Sequence, residues 1–567
     1  MKKVQVLQGL NLISPYSTVI IEINETEEVK KLLDLIKGFH PLFIEKYYFT
    51  QGYLYIETKI AFLWREASEY LQKLAEGKMT YEECREYIVE VIIQHRLKSM
   101  STLPILYSAL EQGYEVTPFI VSDKVIAVDE VGYTKTFNRR YTLGCGRYSQ
   151  VTMSISSSKD AIVAQTTQRD KYITNTMIAK LGLPIPKNFI VNSKNDIEEI
   201  WGELNKPVVV KPVGLTGGSG VVVDLNTIED AKKAFDFATQ AIEGKNRKAW
   251  QTKIMIQEQV EGEDYRLLVI DGKLEVATKR IPAFIVGDGK STIQELLDET
   301  NKDPRRDVTS PAHTLKPIKI DQPLLDYLKE QKLTLESIPK QDEKIQVRKV
   351  ASMSQGGITE DFTDQVSDEI KYIVESIATS IHAFTLGVDI LCKDLSKPLT
   401  QENGAILEIN TMPEAYLNLF PVLGEDRSYV ADTFVKKILK DNKTKKVVVV
   451  GSSLPDVLTV LREKNLLGSY FAEDEVVGEY KDGYLRINGL EINSGLEKWK
   501  GIEALKVNAL LDGIIIHHRD WDAVKSDGLG FNNIDLLVVS KELSDNEEMK
   551  IVKRYRNKGY IKKIKVL

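Results

Sequence analysis

The spacing of apolar and polar positions changes repeatedly along the chain, and each change marks an element. Residues 4–13 and 17–23 alternate as strands do, most clearly in STVIIEI. Residues 27–38 read as a helix closed by Gly38. Helical spacing returns over 64–74 and over 80–97, where Tyr81, Cys84, Tyr87, Ile88, Val91 and Ile92 carry the pattern. Thr80 and Glu83 predict a capping box at the start of the second. A further helix places Ile173, Met177, Ile178 and Leu181 on one face and stops at Gly182 and Pro184. In KPVVVKPVGLTGGSGVVVD, residues 206–224, two β-branched runs flank a glycine-rich turn, and a helix over 227–242 follows. Residues 254–258 predict a strand, and 265–279 a hairpin turning at Asp271-Gly272. Thr363 is expected to cap a helix whose face is Ile370, Ile373, Val374, Ile377 and Ile381. GVDIL at 387–391 and GAILEIN at 404–410 then read as buried strands joined by a polar loop. A last α/β segment opens with the strand KKVVVVG at 445–451.

The mixture predicts an α/β (α+β) fold, and 567 residues exceed what one core accommodates. The expected division is an N-terminal α/β domain over 1–160, a catalytic domain over 161–440 with an inserted subdomain around 286–362, and a C-terminal α/β domain over 445–567. A hydrophobic fraction of 43% and a charged fraction of 28% are those of a soluble globular protein. The net charge of −6 argues against a nucleic-acid partner. No apolar run approaches the ~18 residues of a membrane span, and no signal peptide is read at the N-terminus. Cys84, Cys145 and Cys392 are scattered, which suits a reducing cytosol, so the expected location is cytoplasmic.

Chemistry concentrates in the middle of the chain. Gly214, Gly217, Gly218 and Gly220 allow backbone N–H groups to close around an anion, with Lys211 beside them. The lysine precedes the glycines, so this is not a Walker loop, and on its own the turn reads equally as a flexible hairpin. Lys171, at a helix start, can reach a phosphate. A strand ending at Glu258 can meet an adenine edge with its backbone, and Glu263 or Asp264 can accept from ribose hydroxyls. The turn from Ser354 to Gly357 can hold a carboxylate by backbone N–H groups. Glu408 and Asn410 are two apart on a strand and share a face, with Asp389 expected opposite them. Two carboxylates and an amide are hard oxygen donors suited to Mg²⁺. His517 and His518 are adjacent on a strand and so point to opposite faces, which argues against a shared metal.

Lys171, VVVKP with its glycine loop, QEQVEGEDYR, GVDIL and ILEIN resemble the ATP-grasp superfamily of carboxylate–amine ligases. RIPAFIVGDGKST, NKDPRR and MSQGG, with the opening VLQGLNLISPYSTVIIEI and TLGCGRYSQ, resemble the cyanophycin synthetase family. That family's Mur-ligase-like module is matched here only by VGEYKDGYLRINGLEI and DGLGFNNIDLLVVS, and its Walker loop reads GSSLPD. The pattern is similar to the shorter second type, with one ATP-grasp site and a truncated Mur-ligase-like C-terminal domain. Two departures are that GLTGGSG lacks the Asp, Asn and His of the family's glycine loop, and that TMPEAYLN follows Asn410.

The resemblance implies an ATP- and Mg²⁺-dependent amide ligase that joins β-aspartyl-arginine dipeptides to a growing polymer. The alternatives are a ligase for another peptide or amino acid and a catalytically silent polymer-binding paralogue. By resemblance Lys171, Lys211, Gly217, Gly218, Ser219 and Gly220 hold the ATP phosphates. Glu258, Gln259 and Val260 frame the adenine, and Glu263 or Asp264 meets the ribose. Arg280 and Lys211 are assigned to catalysis; Arg266, Arg280, Ser354, Gly356 and Gly357 to substrate; Asp389, Glu408 and Asn410 to Mg²⁺. The expected partners are the peptide substrate, the polymer, docked at the N-terminal domain, and a second copy of the chain in a homo-oligomer, most simply a dimer.

Overall fold

The computed structural model describes residues 3–93, 97, 100–119, 140–168, 171–215, 220–243, 252–452, 457–463 and 470–567. The fold is mixed α/β, and the chain divides into two compact units, residues 155–308 with 313–430, and residues 1–154 with 309–312 and 431–567.

The first of these units is built on two antiparallel sheets. Strands Val222–Leu225, Val208–Pro212, Ile254–Glu258 and Asn188–Val191 lie side by side in that order. Helix Ile228–Ile242 packs on this sheet through Ala231, Ala234, Ala238 and Ile242, and the alanines permit a close approach. Thr227, read from the sequence as its first residue, is instead its cap and accepts from Asp230 N.

The larger sheet has the order Ile358–Asp361, Lys273–Ile281, Glu263–Ile270, Thr385–Cys392, Gly404–Asn410. The hairpin turns at Asp271 and Gly272, both with positive φ, as a two-residue primed turn requires. Helix Asp368–Ser380 covers one face with Ile370, Val374 and Ile377. Its cap is Ser367, not Thr363: the Thr363 hydroxyl instead donates to Asp361 Oδ1 at 2.6 Å, inside a short 3₁₀ turn. Residues 284–347 add a two-stranded ribbon and helices Ile293–Asn301 and Gln322–Glu330 around their own core of Ile285, Ile293, Leu297, Leu324 and Leu328.

The other unit combines the two ends of the sequence. Its seven-stranded sheet runs Leu490–Asn493, Tyr484–Ile487, Val477–Lys481, Gly513–His518, Lys445–Val450, Ile534–Val539, Ile561–Val566, with the last five parallel. A four-stranded antiparallel sheet comes from residues 4–58. The strand predicted over 4–13 ends at Leu7, because Gly9 takes a left-handed φ of +64°. Gln8 N donates to Asp527 O, Leu10 N to Phe531 O and Gly530 N to Gln8 O, all at 2.8–2.9 Å. A Cβ at Gly9 would stand 2.2 Å from Phe531 O, so only glycine permits the pairing. Leu10 and Cys145 share one core with Ile514, Ile516, Phe531 and Val552. The predicted capping box at Thr80 and Glu83 forms, but the helix expected through Leu97 is α only over Tyr81–Arg85 and continues as a π-helix over Glu86–Ile93. His517 and His518 turn to different partners, Glu479 Oε1 at 2.5 Å and Lys498 Nζ at 2.8 Å. Among the described residues no helix is long and apolar enough to cross a membrane.

Candidate active site

Strand alternation builds the site. On the five-stranded sheet Tyr265, Leu267, Val269, Val388, Ile390 and Ile409 enter the core under helix Asp368–Ser380. The intervening positions therefore face the other way. Register places Arg266, Asp389 and Glu408 in a row across three strands, and Asp264 opposite Arg280 two positions along. Asn410 follows Glu408 on the same face, opposite Gly387. One side of the sheet is apolar and the other carries six polar or charged groups.

Asp389, only 6% exposed, is the centre of this face. Arg266 grips it with both guanidinium edges, Nε to Oδ1 and Nη2 to Oδ2 at 3.0 Å. Arg280 Nη2 stands 3.2 Å from Oδ2 and also donates to Asp264 at 2.6 Å. Burial opposes ionisation of Asp389, but the two guanidinium groups outweigh it and hold the carboxyl below its usual range. Asp264 goes the other way: burial, aided by the charge of Asp389, lifts its carboxyl despite Arg280. Asn418, which nothing in the sequence marks, donates to Arg266 O and Thr278 Oγ1 at 3.0 Å each. A Cβ at Gly387 would lie 3.0 Å from Arg266 Nη1, so this glycine makes room for the guanidinium.

Lys211 lies in strand Val208–Pro212, alternating with Val208 and Val210, which point into the small sheet's core. Its half-buried ammonium is pushed down to about 8, first by burial and then by Lys171, while Glu408 opposes the fall. Lys171 begins helix Lys171–Lys180, donates to Leu215 O at 3.0 Å and stands 3.7 Å from Glu408 Oε2. Lys171, Lys211 and Glu408 thus converge. Gly217, Gly218 and Ser219 lie outside the described residues. Gly220 is described with φ +73°, and a Cβ there would meet Pro212 Cγ at 2.8 Å.

The positions expected around adenine and ribose are partly engaged already. Glu258 N and Gln259 N donate to Lys187 O and Pro207 O. The Glu258 carboxylate accepts from Asn205, and the Gln259 amide forms two bonds with Asp224 at 2.7 Å. Val260 follows in the connecting segment. Asp264 is committed to Arg280, whereas Glu263 is half exposed, with Lys279 3.0 Å away. In the turn at Met353–Gln355, Gly356 N and Gly357 N donate to Met353 O and Ser352 O, so what it presents is the Ser354 hydroxyl, 2.9 Å from Ser352 Oγ.

Glu408 and Asn410 fit a hard cation in their donor chemistry. As placed, the Asn410 amide oxygen faces Glu408, which a cation between them would favour. Turned over, the amide donates to Glu408 Oε1 at 3.3 Å and accepts from Arg266 Nη2 at 3.2 Å. Asp389 belongs to the same face, with both oxygens engaged by arginine. Among the described residues no group of three or more His, Cys, Asp or Glu is arranged to hold a metal.

A cyanophycin synthetase from Synechocystis sp. is 34% identical over 290 residues, covering 51% of this chain and 32% of that protein. One from Crocosphaera subtropica is 30% identical over 347 residues, 60% of this chain and 39% of the relative. A bifunctional glutathione biosynthesis protein from Clostridium perfringens is 30% identical over 285 residues, 49% and 35% of the two chains. The aligned part is thus about a third of the length of these curated relatives. Among solved structures, a bifunctional glutathione synthetase from Pasteurella multocida matches with a TM-score of 0.47 and 22% identity, covering 64% of this chain and 47% of that one. Residues 169–281 match the family model described as phosphoribosylglycinamide synthetase, ATP-grasp (A) domain, so the segment that carries Lys171, Lys211 and Arg280 is similar to an ATP-grasp domain.

Proposed function

We propose that the chain is an ATP-dependent carboxylate–amine ligase that joins β-aspartyl-arginine dipeptides to the C-terminal carboxylate of a growing chain. The carrying observation is the convergence of Lys171, Lys211 and Glu408 beside a sheet face that bears Arg266, Arg280, Asp389 and Asn410. Cationic ammonium groups next to hard oxygen donors are what a nucleotide triphosphate needs. The likeness to cyanophycin synthetases supports the choice of substrate.

In this reading Lys171 and Lys211 hold ATP phosphates, with Gly217, Gly218, Ser219 and Gly220 assigned to the same phosphates by resemblance. Glu408 and Asn410, with Asp389 on the same face, would hold Mg²⁺, which would supply positive charge to the phosphates. The γ-phosphoryl group passes to the acceptor carboxylate, ADP leaves, and the incoming amine displaces phosphate to form the amide. Arg280 neutralises the acyl phosphate and the oxyanion that follows it. Asp264 and Asp389 hold Arg280 in place, and Asn418 fixes the backbone of Arg266. Val260 and its neighbours frame the adenine, and Glu263 is the better placed acid for the ribose. The C-terminal segment, with GSSLPD in place of a Walker loop, adds no second ATP site. A homo-oligomer working in the cytosol belongs to the same reading.

The test is ADP release with Mg²⁺. β-Aspartyl-arginine should stimulate it, and aspartate plus arginine should not. Stimulation by a different acid–amine pair alone would replace the substrate, and no turnover with any pair would leave a silent polymer-binding protein.

A further inference from the structure

Four arginines are buried among the described residues: Arg266, Arg306, Arg348 and Arg427. Three are paired with carboxylates, those of Asp389, Asp321 and Asp361. Arg306, 6% exposed, forms no ion pair among the described residues. Its Nη1 donates to Lys316 O and to Gly356 O, the latter at 3.0 Å. Its Nε has no partner. Asp303, the acid whose charge it feels, is committed to Arg305 through both carboxylate oxygens. A guanidinium stays charged in any protein, and a buried charge without a counter-ion is costly. Such a group is kept where something else supplies the anion.

Arg306 and Gly356 line a cavity of about 360 Å³. Much of the remaining wall is apolar, from Phe284, Leu296, Ile358 and Val422, and the two acids that also line it, Glu299 and Asp303, are paired with Lys302 and Arg305. Ile358 opens the strand Ile358–Asp361, whose Thr359 lies opposite Arg280 in the register. The cavity therefore adjoins the strand next to the reacting face. A guanidinium takes a carboxylate through charge-assisted hydrogen bonds. The apolar wall suits an aliphatic stem.

We propose that this cavity is the subsite for the amine-bearing substrate, and that it receives that substrate's carboxylate on an aliphatic stem against Arg306. The assignment to the amine-bearing partner rests on the ligase reading, because the other substrate's carboxylate must sit at the phosphoryl group. The carboxylate cavity itself does not.

The experiment uses the full chain and calorimetric titration with two probes, glutarate and β-aspartyl-arginine, each compared with its amide, glutarate monoamide and the arginine-carboxamide dipeptide. Loss of a charge-assisted pair predicts at least about tenfold tighter binding of the acid than of its amide. Arg306→Met should erase that difference and Arg306→Lys restore part of it. In ADP release Arg306→Met should raise the KM for the dipeptide and leave the KM for ATP unchanged. Equal binding of acid and amide by the unaltered protein overturns the proposal, and that arm does not depend on any variant folding. Arg306-dependent binding of glutarate without dipeptide-driven ADP release would keep the cavity and reject the dipeptide. Dipeptide turnover with no acid–amide difference would do the reverse.

Discussion

Replacing Lys211 by methionine should strengthen the folded state and destroy ATP binding. An ammonium normally titrates at 10.5, and here burial and Lys171 bring it to about 8. The folded protein therefore binds this proton more weakly than the unfolded chain does. Below pH 8 the charge is present in both states and the full cost is borne by the fold. Between about 8 and 10.5 the folded state has released the proton and the unfolded chain has not, so the cost fades with rising pH. At 1.36 kcal/mol per pH unit the difference corresponds to about 3 kcal/mol at neutral pH. Lys211→Met should therefore raise the denaturant midpoint at pH 7 and show a shrinking advantage toward pH 10. ATP phosphates reverse the balance by restoring a counter-charge, so ATP affinity should be flat just below pH 8 and then fall up to about tenfold per pH unit. Calorimetry in two buffers of different ionisation enthalpy would count the proton taken up on binding. A pH-independent affinity between 7.5 and 9.5, or a variant no more stable than the parent, would refute the reasoning.

Two further substitutions test the buried ion pairs. Asp389→Ala leaves Arg266 and Arg280 without their shared carboxylate, so beyond abolishing ATP turnover it should cost about 3–5 kcal/mol of stability; an unchanged denaturant midpoint would place the acid outside this network. Glu115, 2% exposed, accepts from Lys506 Nζ at 2.9 Å and from Asn532 N at 2.9 Å, with Lys446 3.6 Å away. Burial opposes its ionisation, but Lys506 and Lys446 prevail and hold the carboxyl below 4.5. The stability it contributes is present above that ordinary value and lost as pH falls through the folded one. Glu115→Gln should thus destabilise at pH 7 by about 3–5 kcal/mol, and parallel unfolding curves at pH 7 and in acid should converge in acid.

Local signals in the sequence carried far where the physics was local. The capping box at Thr80, the Asp271-Gly272 hairpin and the shared face of Glu408 and Asn410 all depend on neighbours within a few positions. The cap before Asp368 was misplaced because Thr363 and Ser367 offer the same hydroxyl, and Asp361 decides between them. Arg266 was legible as polar in a strand but not as the partner of Asp389, 123 residues away, because strand register sets that pairing. Arg306 carries no local mark of its burial in the run NKDPRR. The joining of the two ends of the sequence into one core left no local mark beyond Gly9 and Gly528, whose Cβ atoms would collide with Phe531 and Gln8.

That joining governs how the protein can be made. Gln5 Nε2 donates to Lys525 O, 520 residues along the chain. At the ribosome's ~5–20 residues per second, the first strands wait on the order of a minute for their partners. During that time the edge of a nascent sheet and the apolar side chains of residues 4–10 remain open to misassociation. The intervening unit is complete in sequence earlier, and folding it first would shorten the loop that the late pairing must close. Synthesis should therefore lean on chaperones that hold the early sheet, and slowing translation anywhere between residues 10 and 525 should cost soluble product.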